Sequence, residues 1–208
     1  MRDDLERLAA QRKLRAAARR SRRHLPGHLP AAWFLTDPLR TPDPLAVIGN
    51  LPEDFGVILR HFGALEQVRL APAIAKLTKR RGLVCLVAAD PELALEVGAE
   101  GVHWPEARLS EGKRWRGRFG LMTTAAHSRA ALVRARSAGV DAALLSTVFP
   151  SQSPSSGVAL GALRFRELAR AADIPLYALG GITSENAAKV AGFAGFGAVS
   201  SLSDVFQG

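Results

Sequence analysis

Cysteine is nearly absent from this 208-residue chain: Cys85 is the only one, so no internal disulfide is available. That excludes a small secreted fold stapled by bridges, and the expected setting is a reducing cytoplasm. Cys85 lies in the apolar run 83–87 and reads as core filler, not as a nucleophile. Long apolar runs are missing as well, since none reaches the roughly 20 residues that a bilayer-spanning helix needs. The first residues lack the charged, apolar and small-residue order of a secretory signal. Aromatic residues make up only 6% of the chain. None is interleaved with the N-terminal arginines, which argues against a stacking surface for single-stranded nucleic acid.

What is present is enough apolar material for a core: 48% of residues, at a length that suits one domain. The net charge of +9 is concentrated. Residues 1–24 hold nine Lys and Arg against three acids, leaving only +3 for the rest. This segment has few helix breakers before Leu25, Pro26 and Gly27, and it reads as a basic helix. Arg19, Arg20, Arg22 and Arg23 offer a surface to nucleic acid or an anionic membrane. The plainer reading is a solvated helix packed on the body by its leucines and alanines. The organisation expected is therefore a basic helix and linker over 1–30, followed by a body over 31–208.

From residue 31 onward short apolar strands alternate with helical stretches. Strands are expected at 32–35, 56–59, 83–88, 101–104, 119–123, 142–146, 176–179 and 196–200. Helices are expected at 44–50, 65–78, 91–97, 128–138, 160–172 and 184–190. Gly98 and Gly139 follow helices where a left-handed cap is needed. Eight such units argue for a compact (β/α)8 barrel, with an open doubly wound sheet as the alternative. After the eighth strand too few residues remain for a full eighth helix. The N-terminal helix is expected to cover that groove or to close the barrel bottom.

The stretch 175–201 carries the clearest chemistry. An apolar strand runs into Gly180 and Gly181, Thr183 offers a helix cap, and a second strand ends in Ser200 and Ser201. Paired glycines let backbone approach an anion closely, although they also serve a tight turn.

From Trp33 to Asp204 the chain resembles the thiamine phosphate synthase and thiazole tautomerase superfamily of (β/α)8 barrels. The resemblance rests on the order of its motifs: Phe34-Leu35-Thr36-Asp37, Val57-Ile58-Leu59-Arg60, Gly98-Ala99-Glu100-Gly101-Val102-His103, Ala126-His127-Ser128, Val148-Phe149-Pro150-Ser151 with Leu160-Gly161, and Leu179-Gly180-Gly181-Ile182. It implies a phosphate cradle at Gly180, Gly181, Ser200 and Ser201, with hydroxyl contacts from Ser151 and Ser153. Arg60 reads either as an anion contact at the barrel mouth or as the partner of Glu66 or another acid, and Arg108 either as a phosphate contact or as a solvated loop arginine. The resemblance also implies an acid/base role for His127, whose unperturbed pKa suits proton transfer near neutrality. His103 reads as structural. In the synthase branch Mg2+ is held by two aspartates, and those positions fall on Ala89, with Asp90 beside it, and on Arg108. Polar family positions also become Ile58, Phe62 and Pro154. No metal is therefore expected, and Mg2+ enters only if the synthase reading holds.

Three functions follow from the resemblance. The first is a metal-independent, tautomerase-like isomerase acting on a thiazole phosphate. The second is a transferase of the synthase type, joining thiazole phosphate to hydroxymethylpyrimidine diphosphate. The third is a catalytically inactive phosphate-binding or partner protein that uses the arginine-rich helix as its surface. The expected ligand is a small thiazole phosphate; nucleic acid is not expected, and a homodimer is compatible with the features above.

Overall fold

A computed structural model describes residues 2–61, 65–151, 153 and 157–207. Eight parallel strands close into a barrel in chain order. They are β1 (Ala32–Leu35), β2 (Phe55–Leu59), β3 (Val84–Ala88), β4 (Gly101–Trp104), β5 (Leu121–Ala126), β6 (Ala142–Leu145), β7 (Leu176–Ala178) and β8 (Gly195–Ala198). Closure is the pairing of β1 with both β2 and β8, with Trp33 opposite Gly56 on one side and Gly197 on the other. Helices α2 (Pro44–Asn50), α3 (Leu65–Arg81), α4 (Pro91–Glu96), α5 (Arg129–Ala138), α6 (Gly161–Ala171) and α7 (Ser200–Phe206) follow their strands. The chain therefore folds as a (β/α)8 barrel. No helix among the described residues is long and apolar enough to cross a membrane.

Alternation along the strands separates two apolar sets. Trp33, Leu35, Ile58, Leu86, Ala88, Leu121, Ala142, Leu144 and Tyr177 fill the barrel interior. Phe34, Val57, Leu59, Cys85, Val87 and their counterparts pack outward under the helices. The lower interior is taken by two large rings, Trp33 and Tyr177, which meet edge to face at 6.0 Å. Glycine makes room for both: a Cβ on Gly56 would lie 2.4 Å from the Trp33 ring, and one on Gly195 would lie 2.3 Å from Tyr177. The Tyr177 hydroxyl donates to the Pro30 carbonyl at 2.6 Å, so its polar end is satisfied within the core.

The N-terminal helix α1 (Arg2–Ser21) packs beside α7, a 3-10 turn over Ala187–Lys189, and β8. It buries Leu14, Ala17 and Ala18 and covers the groove that the two-turn α7 leaves open. Gln11 donates to the Val205 carbonyl at 2.9 Å, and Lys13 pairs with Glu185 at 2.8 Å. Below it Leu25 and Leu29 join the interior cluster with Trp33 and Tyr177. Helix and linker thus divide the two expected tasks, one covering the groove and the other stoppering the barrel bottom.

Several boundaries differ from the sequence expectation. The strand expected at 119–123 begins at Leu121, because Gly101 pairs with Leu121 and fixes the register. Phe119 instead packs on Trp115, with ring centroids 5.9 Å apart. The helix expected over 184–190 shrinks to the turn at Ala187–Lys189. There Asn186 accepts from the Thr183 N–H at 2.9 Å and donates to the Gly181 carbonyl at 2.8 Å. Side-chain bonds of this kind compete with helical ones. Between β4 and β5, where no helix was expected, residues Glu106–Trp115 form a 3-10 segment. Ser200 and Ser201 belong to the first turn of α7, not to the end of β8.

Candidate phosphate-binding site

The C-terminal ends of β1, β2, β6, β7 and β8 border a cavity of about 340 Å3. One wall is the chain after β7. Gly180 and Gly181 have φ of 89° and 63°, in the left-handed region that side chains with a Cβ rarely adopt. The loop after β6 lies across them: Val148 N–H donates to the Leu179 carbonyl at 2.9 Å and Phe149 N–H to the Gly180 carbonyl at 3.0 Å. A Cβ on Gly181 would stand 2.3 Å from the Pro150 carbonyl oxygen and 2.6 Å from that of Phe149. Gly181→Ala is therefore expected to cost about 2–4 kcal/mol in a urea titration. Gly157→Ala, with no neighbouring atom within 4 Å, should stay within about 0.5 kcal/mol of the parent.

Ser200 and Ser201 line the same cavity, as do Ser151 and Ser153. The Ser201 hydroxyl donates to the Ile182 carbonyl at 2.7 Å, which ties the start of α7 to the glycine loop. Arg60, at the end of β2, also lines it, whereas Arg108, the remaining ligand contact that the sequence proposed, does not.

A second arginine, Arg40, also lines it and was missed by the sequence reading. It comes from the loop after β1, and its Nη2 lies 2.7 Å from Asp37 Oδ2. Arg60 Nη2 reaches the same oxygen at 2.7 Å. Asp37 Oδ1 accepts the N–H groups of Leu39 and Arg40, both at 3.1 Å. Burial works to raise the Asp37 pKa, but the Arg40 bond and these N–H groups outweigh it and hold the carboxyl at about 2. Asp37 was legible only as part of the first-strand motif, and nothing in the sequence marked Arg40 as its partner.

Deeper in the interior His103 is 2% exposed, with Nδ1 2.8 Å from Thr123 Oγ1. Burial, with the positive charge of Arg60 nearby, pushes its pKa down to about 3, so the ring is neutral at ordinary pH.

His127 stands elsewhere. Its Nδ1 and its backbone N–H both meet Glu106 Oε2, at 2.8 and 3.0 Å, and Arg134 holds the other Glu106 oxygen at 2.5 Å. Burial would raise the Glu106 pKa, but His127 and Arg134 bring it below its usual range. The half-exposed imidazole lines a groove of about 810 Å3 between the 3-10 segment and α5, separate from the cavity of Gly180 and Gly181.

Arg108 is also outside the cavity. It donates to the Ala89 carbonyl at 2.9 Å and forms a two-pronged pair with Glu111 at 2.8 and 2.7 Å. A guanidinium thus covers the end of β3, where the resemblance puts the metal. Ala89 has no side-chain oxygen, and Asp90 Oδ1 accepts from the Leu93 N–H at 3.0 Å as the cap of α4. Three or more His, Cys, Asp or Glu that could hold a metal occur nowhere together among the described residues. This donor set does not fit Mg2+, which is usually held by one or two carboxylates together with substrate phosphate. One position carries a methyl, the other a guanidinium, and the adjacent Asp90 is engaged as a helix cap. Ile58 fills the interior as an apolar residue, whereas Phe62 and Pro154 lie outside the described residues.

Comparison with known proteins bears on this arrangement. A family model described as thiamine monophosphate synthase matches residues 57–204. A thiamine-phosphate synthase of Thioalkalivibrio sulfidiphilus is 35% identical over 139 residues, which cover 65% of this chain and 65% of that relative. This chain therefore matches just under two thirds of that relative's length. A thiamine-phosphate synthase of Herpetosiphon aurantiacus is 32% identical over 174 residues, covering 80% of this chain and 84% of the relative. The solved structure of a thiamine phosphate pyrophosphorylase from Pyrococcus furiosus superposes with a TM-score of 0.68 at 18% identity. It covers 84% of this chain and 92% of its own, and shares the barrel fold. With the family model matching well over half its length, the chain belongs to the thiamine monophosphate synthase family.

Proposed function

We propose that this barrel is a transferase of the thiamine-phosphate-synthase type, which takes the phosphate of a thiazole phosphate at Gly180, Gly181, Ser200 and Ser201. The observation that carries the reading is that these residues line one cavity together with Arg40 and Arg60. Joining a thiazole phosphate to a pyrimidine diphosphate leaves negative charge on the departing pyrophosphate, and fixed cations stabilise such charge. Relatives named thiamine-phosphate synthase favour this reading over the isomerase one. So does His127, which faces a different groove from the phosphate residues. No step is assigned to a metal.

The test is a calorimetric titration with thiazole phosphate, in EDTA and in Mg2+. Saturable binding is expected in both, weakened about tenfold by Ser200→Ala with Ser201→Ala. Adding hydroxymethylpyrimidine diphosphate should then yield thiamine phosphate on chromatography. No binding under either condition overturns the proposal. Binding without product overturns the transferase and leaves a phosphate-binding protein.

A further inference from the structure

We infer that the lateral groove between the 3-10 segment and α5 is a second ligand site, for a small organic carboxylate with an apolar body. The inference does not depend on the function proposed above, because no residue lines both this groove and the phosphate cavity.

Charge brings such a molecule to this face. Residues 106–136 hold eight Lys and Arg against two acids, a net +6. Apart from this segment and residues 1–24, the chain carries a net −3. The segment is thus a second basic region, and it attracts anions from solution. The fold uses up several of its cations. Arg116 donates to the Ala138 and Ser137 carbonyls at the end of α5, Arg108 pairs with Glu111, and Arg136 pairs with Asp173. Lys113 is left over. It is exposed, lines the groove, and makes no hydrogen bond or ion pair among the described residues. Nearby carboxylates are already spoken for. Glu106 is the only acid among the groove's lining residues, and its two oxygens go to His127 and Arg134. Both Glu111 oxygens go to Arg108. A cation without a counter-ion at a concave wall is suited to fix a carboxylate.

The lining supplies the other half of the ligand. The groove has about 810 Å3, enough for an organic molecule, and Ala107, Leu109, Val133 and Ala138 give it an apolar wall. Val133 is 61% exposed in the middle of α5, with Arg129 and Arg136 one turn to either side. An apolar side chain so placed is stabilised only when something covers it. The hydroxyls of Ser110 and Ser137 line the same groove and have no partner among the described residues. A body lying on Val133 and Leu109, with its carboxylate on Lys113, meets both requirements. A polyanion such as nucleic acid would leave the apolar wall uncovered, which favours the smaller amphiphile.

The experiment titrates the full chain by calorimetry with 2-naphthoate and octanoate, and with 2-naphthamide and octanamide as uncharged counterparts. At least one carboxylate is expected to bind saturably, about tenfold tighter than its amide. Lys113→Ala should remove that difference, Lys113→Arg should keep it, and Val133→Asp should abolish binding of acid and amide alike. Ser200→Ala with Ser201→Ala should change nothing, which separates this groove from the phosphate cavity. The imidazole NMR signals of His127 should move during the titration, and those of His103 inside the barrel should stay. Thermal melts establish that each variant is folded. Equal affinity for acid and amide, or a difference that survives Lys113→Ala, overturns the site. So does movement of His103 with His127 still, which would put the ligand in the barrel cavity. Failure of both carboxylates to bind also overturns it, and binding of a leucine-containing acidic peptide in their place would make the groove a protein-docking surface.

Discussion

A chain lacking residues 1–24 is expected to lose its cooperative fold at 25 °C. The reason is apolar and not electrostatic. Leu14, Ala17 and Ala18 are buried to within 3% of complete coverage. Their burial contributes about 3–5 kcal/mol at the usual value per unit of apolar area. The surfaces they cover add to this, because α1 packs on α7 and the 187–189 turn, where Phe206 and Ala187 are fully buried. Arg15 also stands over the Phe206 ring at 5.7 Å. The combined loss approaches the whole stability of an ordinary domain, about 5–15 kcal/mol. Circular dichroism and a urea titration would measure it. The control is to neutralise the exposed arginines Arg12, Arg19 and Arg23 as glutamines, which should leave the unfolding free energy within about 0.5 kcal/mol of the parent. A truncated chain with an unchanged midpoint would sink this account. A charge-neutral variant that fails to fold would sink it equally.

The second large effect is with pH. His103 is held at about pKa 3 inside the barrel, against 6.5 for the free side chain. Below about pH 6.5 the unfolded chain takes up a proton that the folded chain refuses. Stability is therefore fully present above that pH and declines as pH falls toward 3. The slope approaches about 1.4 kcal/mol per pH unit, so roughly 2–3 kcal/mol is lost between about pH 6.5 and about pH 4.5. Asp37 acts in the same direction lower down, since its carboxyl is depressed from 3.8 to about 2 and its contribution disappears as pH falls through that interval. Urea titrations across this range should show the decline, and His103→Gln should flatten it above about pH 4.5. Equal slopes in parent and variant would assign the acid sensitivity to other groups.

The sequence disclosed the barrel because most of its strands are uninterrupted apolar runs with sharp ends. Ala32–Leu35 and Gly101–Trp104 were delimited to the residue, and so was Pro44–Asn50, where Asp43 caps the helix and Pro44 opens it. The segment 184–190 misled because its residues suit a helix, while Asn186 and Thr183 spend their side chains on neighbouring backbone. The glycine pair and the two serines were legible as motif residues, and they do line one cavity. Arg40 was not, because a loop arginine reaches that cavity only through its bond to Asp37. His127 shows the opposite difficulty. Its place after β5 puts it at the correct end of the barrel, but Glu106 draws the ring into a lateral groove, and sequence spacing carries no such direction.

The pairing of α1 with α7 has a consequence for how the chain comes to be folded. Gln11 meets Val205 and Lys13 meets Glu185, so a helix made well before the barrel finds its seat among residues made more than 170 positions later. Throughout synthesis the stripe of Leu14, Ala17 and Ala18 has nothing to cover it. A helix of ordinary composition in that position would invite aggregation, since nascent chains expose such stripes for seconds. The arginines flanking this stripe repel one another between chains and keep a waiting helix in solution. In the folded chain the same arginines form a charged outer face over a seam closed by leucine and alanine.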